Sequence, residues 1–183
     1  MSFTELYKVN EEGDVRFFAG WRDDDRGAYR MCENIVWEYL GAQHTLIYWL
    51  KNKDLRTLFD DLLNGSRLPI SRRLVFMSMW DRFLVLRRDI PILIDAYNEC
   101  CNYWLGRGWD VGLVPRFVLA LTDSLVDANC QGVCWNWASI KRRGYWIVEH
   151  NDIKRLYNIH LDKDHWSIPE RMRKQWMKQK RQG

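Results

Sequence analysis

The residues able to do chemistry are few and poorly grouped. Cys130 and Cys134 have three residues between them, and His150 follows them. A zinc site needs four ligands, usually as two closely spaced pairs. No second pair completes the set, because adjacent residues such as Cys100 and Cys101 point to different faces of a helix. These cysteines therefore read as small apolar packing residues, and no metal is expected. The run His160-Leu161-Asp162-Lys163-Asp164-His165 offers two imidazoles and two carboxylates. Lys163 sits among them and no glycine shapes a cation loop. It reads as a solvated loop, with a metal-dependent enzyme built on Asp162 and His165 kept as an alternative. Glu149, Asp152 and Lys154 can be assembled into a nuclease trio, but a chain with 24 acids offers such trios by chance. No serine or cysteine lies on a glycine-flanked nucleophile turn. Gly106-Arg107-Gly108 lacks the third glycine and the preceding strand of a phosphate loop. The expectation is a protein that is not an enzyme and holds no cofactor.

The stronger signal is cationic. Lys141, Arg142 and Arg143 fall at a hairpin tip beside Trp135, Trp137, Tyr145 and Trp146. Further on come Arg171, Arg173, Lys174, Lys178, Lys180 and Arg181, with Trp166 and Trp176. Ile168, Met172 and Trp176 recur at i, i+4 and i+8, the stripe of an amphipathic helix with cationic flanks. Cations meet phosphates and rings stack on bases, so this pattern suits nucleic acid. The same helix can dock in an acidic protein groove or on a membrane surface. The plainer reading is a solubilising tail whose tryptophan packs back on the core. The expected partner-binding residues are Lys141, Arg142, Arg143, Arg171, Arg173, Lys174 and Trp176.

Charge placement supports that reading. Residues 1–140 hold 16 Lys and Arg against 19 Asp and Glu, whereas residues 141–183 hold 12 against 5. The overall charge of +4 thus hides a near-neutral body and an end at +7. At 47% hydrophobic residues the chain can bury a sizeable core. Its 11 tryptophans are too many to lie wholly inside it, since each indole N–H wants a partner. Tryptophans left exposed suit a binding surface, and a homodimer is one use for it. The start, Met1-Ser2-Phe3-Thr4-Glu5, lacks a basic segment followed by an apolar run, and no apolar stretch reaches membrane-span length. Five cysteines, an odd number, point to reduced thiols in a cytoplasm.

The elements that must position these groups form an α+β pattern. Leu6 to Val9, the turn Asn10-Glu11-Glu12-Gly13, and Val15 to Phe18 predict an N-terminal β-hairpin. Asp23 to Asp25 cap a helix reaching Leu40, with Gly41 as its stop. His44 to Asn64 is helical in pattern. Ser71 caps a buried helix through Leu74 and Val75, and Asp89 caps the next, with Pro91 in its first turn. Pro115 opens another, ending near Asn129. From Gly132 alternation takes over, predicting a second hairpin near 132–149 with a turn at Lys141 to Gly144. Ser167-Ile168-Pro169-Glu170 is a capping box for a basic C-terminal helix. The expectation is four to five helices packed with two hairpins: a compact domain over 1–150 that folds by itself, and a basic extension over 151–183.

Several of these segments together resemble a group of small bacteriophage proteins. Arg26-Gly27-Ala28 and Trp37-Glu38-Tyr39-Leu40 are similar to its early helix. Ser71 to Asp81, Leu84-Val85, Asp89-Ile90-Pro91 and Ala96 resemble its central helices. Cys134 to Ile140 and Trp146 resemble its closing hairpin. The resemblance spans roughly residues 3–150. It implies an accessory gene of a phage or mobile element, acting in the cytoplasm of a bacterial host. Proteins of that setting and size imply an anti-CRISPR inhibitor of the RNA-guided nuclease of a type II system, binding the effector or its guide RNA or DNA. A nucleic-acid-binding accessory protein is the alternative. No membrane partner is expected.

Overall fold

The computed structural model describes residues 3–12, 14–22, 27–41, 61, 65, 67–78, 84–137, 139–141, 144–146, 168 and 170–182. The fold is α+β. Strands β1 (Phe3–Val9) and β2 (Val15–Arg22) form the expected N-terminal hairpin. Its turn is closed by Asn10 N–H to the Asp14 carbonyl at 3.1 Å and by Asp14 N–H to Asn10 Oδ1 at 2.7 Å. The register shifts between Leu6 and Tyr7, so Phe18 is an extra residue in β2, and such a bulge sharpens the local twist.

Helix α1 (Gly27–Leu40) ends at Gly41, whose φ of 69° is the left-handed stop that glycine adopts without a Cβ penalty. Helix α2 (Ile70–Ser78) follows, then the short strand β3 (Leu84–Leu86) and a 3₁₀ turn, Arg87–Asp89. Helix α3 (Ile90–Gly106) buries Ile90, Leu93, Tyr97, Cys100 and Trp104, a three-four repeat that keeps one face on the core. Helix α4 (Val114–Val126) does the same with Val114, Phe117, Leu121 and Ser124. Strands β4 (Gly132–Trp137), β5 (Ser139–Lys141) and β6 (Gly144–Trp146) precede the last helix, α5 (Glu170–Gln182).

The sheet runs β2-β1-β4-β3, antiparallel throughout. Leu6, Val85 and Val133 join the helices in one buried cluster. The expected partner of β4 is thereby corrected. It was to pair with a return strand at Tyr145 to Glu149, yet it lies between β1 and β3. The hairpin near 132–149 is the smaller β5–β6 pair, with Lys141 opposite Gly144. Alternation identifies a strand but not its neighbour, and β1 leaves one edge open for β4 to fill. The helix expected over His44 to Asn64 lies almost wholly outside the described residues. So do the chemical candidates of residues 147–167: His150, Glu149, Asp152, Lys154 and His160 to His165.

Two boundaries differ from expectation. Helix α4 stops at Val126, because the Arg87 guanidinium takes the carbonyls of Leu125, Asp127 and Cys130 at 2.6, 2.6 and 2.9 Å. One rigid fork satisfies acceptors that a helix end leaves open. The split at residue 150 does not separate two cores either. Ile168, Met172 and Trp176 are 0%, 1% and 2% exposed and belong to the same cluster as Tyr97 and Phe117. The sequence pattern showed the apolar stripe of α5; it did not show that this stripe packs against α2 and the core.

Replacing Arg87 by methionine keeps the volume and leaves those three carbonyls without their donor. An unfolding titration should show a loss of about 2–3 kcal/mol, and lysine should not restore it, since one ammonium cannot span three acceptors. Unchanged stability in the methionine variant would remove the capping role.

Candidate binding surface on the last helix

The placement of α5 begins with charges buried elsewhere. Helix α2 is buried along most of its length and carries Arg72 and Arg73 at 3% and 4% exposure. A buried guanidinium must be hydrogen-bonded. Arg72 Nε donates to Glu38 of α1 at 3.1 Å, and its Nη1 to Glu99 of α3 at 3.3 Å. Its plane also lies 4.2 Å from the Tyr103 ring centre. Arg73 donates to Gln175 of α5 at 3.1 Å. Each neighbouring helix thus supplies a polar partner to α2.

The second anchor is Asp89, 1% exposed, in the position before α3. The sequence marks it as an N-cap and the position is right, but its side chain makes no capping bond. Both oxygens face Arg173 instead: Nε to Oδ1 at 2.8 Å and Nη2 to Oδ2 at 2.7 Å. This is the two-pronged geometry that a guanidinium forms and an ammonium cannot. Arg173 also reaches Glu170 one turn back. Lys180 approaches Asp95 at 4.0 Å and the Trp176 ring at 4.9 Å.

The seven expected partner-binding residues therefore separate. Trp176 is a core side chain and not an exposed anchor. Arg173 is committed to Asp89. Arg171 and Lys174 are exposed. Lys141 lies in β5 opposite Gly144, and Arg142 and Arg143 lie outside the described residues. Two cations not in that set, Lys178 and Arg181, are exposed on the same face as Arg171 and Lys174. The spacing 171, 174, 178, 181 was legible as i, i+3, i+7 and i+10. At 100° per residue these four lie within an arc of about 80° and along about 15 Å of axis. They point away from Met172 and Trp176. Burial, and after it the field of Arg171, lowers the pKa of Arg73 on α2 from its ordinary value.

A second surface was missed. Arg30, Glu33, Asn34 and Trp37 share a face of α1 at i, i+3, i+4 and i+7. That face meets the loop after α3, where Asn34 Nδ2 donates to the Asp110 carbonyl at 2.7 Å and Trp37 meets Trp109 edge-on at 5.6 Å. Arg30 lies 5.4 Å from the Trp37 ring and Arg107 5.4 Å from the Trp109 ring. Glu33 and Asp110 pair with Arg30 there, and Glu33 and Asn34 are buried, so it is a packed, charge-balanced contact and not an open cationic surface.

Burial pushes the thiols of Cys32, Cys100, Cys130 and Cys134 up, away from the reactive thiolate. A cleft of about 530 Å³ beside the β1–β2 turn has Lys8, Arg16, Phe18 and Asp127 in its walls. There the Lys8 hydrogen bond, and then the Asn129 N–H, hold the Asp127 carboxyl below the usual range. It stays an anion and is not tuned as a proton donor. No group of three His, Cys, Asp or Glu residues able to hold a metal ion occurs among the described residues.

If Asp89 and Trp176 fix α5 to the core, their loss must show as stability. Arg173→Gln should cost about 2–3 kcal/mol, since it leaves a buried carboxylate with only the exposed Arg88, at 3.9 Å, as a cation. Trp176→Ala should cost about 3–5 kcal/mol, while Lys178→Gln stays within roughly 0.5 kcal/mol. Urea unfolding measures all three, and an Arg173→Gln value as small as that of Lys178→Gln would remove the anchor. Compared with protein families, with curated proteins and with solved structures, the chain matches none.

Proposed function

We propose that the chain is a non-enzymatic binding protein of a phage or other mobile element, acting in the cytoplasm of a bacterial host. Its partner in this reading is the RNA-guided nuclease of a type II CRISPR system, with the guide RNA or DNA that the nuclease carries. The observation that carries the binding role is the exposed row Arg171, Lys174, Lys178 and Arg181 on a helix whose other face is locked into the core. A contact surface held rigid loses little conformational entropy on binding. The resemblance over residues 3–150 to small phage proteins supplies the setting and the choice of target.

The basic surface also limits the mode of inhibition. An acidic protein can imitate DNA; a cationic helix cannot. Binding to the nucleoprotein complex, or to the nucleic acid it must engage, fits the charge. The buried thiols and the paired carboxylates favour binding over catalysis.

Guide-loaded type II effector cleaving a labelled target provides the test. Excess protein should slow cleavage by tenfold or more, and the protein should still be captured with the effector after free nucleic acid is digested. Cleavage unchanged across effectors of the type II subtypes would overturn the proposed target. Capture that disappears after digestion would instead favour a nucleic-acid-binding accessory protein.

A further inference from the structure

We infer that the solvent face of α5 is a docking stripe for the phosphate backbone of nucleic acid. The inference rests on the proposed function in taking this helix as the contact surface, and it goes on to name the chemistry that the surface recognises.

Three kinds of partner fit a basic amphipathic helix: a membrane surface, a protein groove and a polyanionic strand. An amphipathic helix takes the first two mainly through its apolar face, which enters acyl chains or fills a groove. Here that face is used already, because Ile168, Met172 and Trp176 are 0%, 1% and 2% exposed in the core of the same chain. The largest apolar side chain left outside on this helix is Met177, at 46% exposure. What α5 offers a partner is therefore charge.

The charge is arranged in a line. Successive members of the row Arg171, Lys174, Lys178 and Arg181 are three, four and three residues apart. That spacing sets them about 4.5–6 Å apart along the axis. A nucleic-acid strand advances about 3.4 Å per phosphate along its own axis. Long, flexible cationic side chains bridge the difference, so a row about 15 Å long covers four or five consecutive phosphates. Arg173 is taken up by the buried Asp89, and Lys180, half exposed, lies 4.0 Å from an exposed Asp95. Within the outward row Arg171 makes a contact of its own, and Lys174 has an acid partner, Glu170, at 3.7 Å, both well exposed. Such a pair is weak and yields readily to a phosphate.

Fluorescence titration of the purified chain into a 20-nucleotide duplex DNA and a single-stranded RNA, across 50–300 mM salt, tests this without any effector present. The full row changed to glutamine (Arg171→Gln, Lys174→Gln, Lys178→Gln, Arg181→Gln) should lower affinity about a hundredfold or more at 0.1 M salt. It should also reduce the slope of log affinity against log salt by roughly three. Arg16→Gln and Arg116→Gln together, which remove charge elsewhere on the surface, should change neither quantity much. Circular dichroism melting of each variant should match that of the unaltered chain, because all of these positions are exposed. An equal effect of the two variant sets would reduce the stripe to net charge and overturn the inference. So would equal binding of polyglutamate of matched charge, or a slope unaltered by the row. A chain that slows effector cleavage yet binds neither oligonucleotide would sink this inference alone and leave the proposed function standing.

Discussion

A carboxylate at 1% exposure must be paired or lose its charge, and Asp89 is such a carboxylate. It sits where β3 gives way to α3, among packed elements and away from water. Its partner arrives from 84 residues later in the chain, as the two-pronged contact of Arg173. Much else follows from that demand. Satisfying Asp89 brings α5 against α2 and α3. Once α5 is there, Met172 and Trp176 fall into the core, and its solvent face can only be the cationic one. The pair selects the orientation of the helix; the burial of Trp176 supplies most of the energy that holds it.

Helix α2 obeys the same rule with the sign reversed. Two adjacent arginines on a buried helix are expensive unless each neighbouring helix answers them. Glu38 comes from α1, Glu99 from α3 and Gln175 from α5. Ser71 links in by donating to Glu99 at 2.7 Å. The polar groups that look least suited to a core thus specify which helices pack together. A wholly apolar α2 would leave its neighbours freer to slide in register.

Much of the fold was legible. Three-four spacing in α3 and α4, the Gly41 stop, Pro91 and Pro115 in first turns and the Asn10 turn all reflect local backbone preferences, which a sequence states directly. What was not legible depended on pairing between distant segments. The alternation of residues 132–137 marked a strand but could not say that β1 was its neighbour. Asp89 read as a cap because residues before a proline-bearing helix usually are; only the fold puts Arg173 beside it. The candidate site shows the same division. A basic helix with the stripe Ile168, Met172, Trp176 was visible. Whether the stripe faced a partner or its own core was a tertiary fact, and it moved Trp176 into the interior and set a half-buried Arg173 on Asp89. The surface around Trp37 and Trp109 went unnoticed because its two halves are far apart in sequence, although the spacing of Arg30, Glu33, Asn34 and Trp37 was a signal for one half.

The central claim is that α5 belongs to the core and presents its cations from a fixed position. Native-state amide hydrogen exchange tests it most directly. Amides of Lys174 to Lys178 should be protected to nearly the same free energy as those of Leu74 to Ser78 in α2, and the two sets should lose protection together as denaturant is added. Exchange of α5 at the rate of a fraying terminus, while α2 stays protected, would contradict the account.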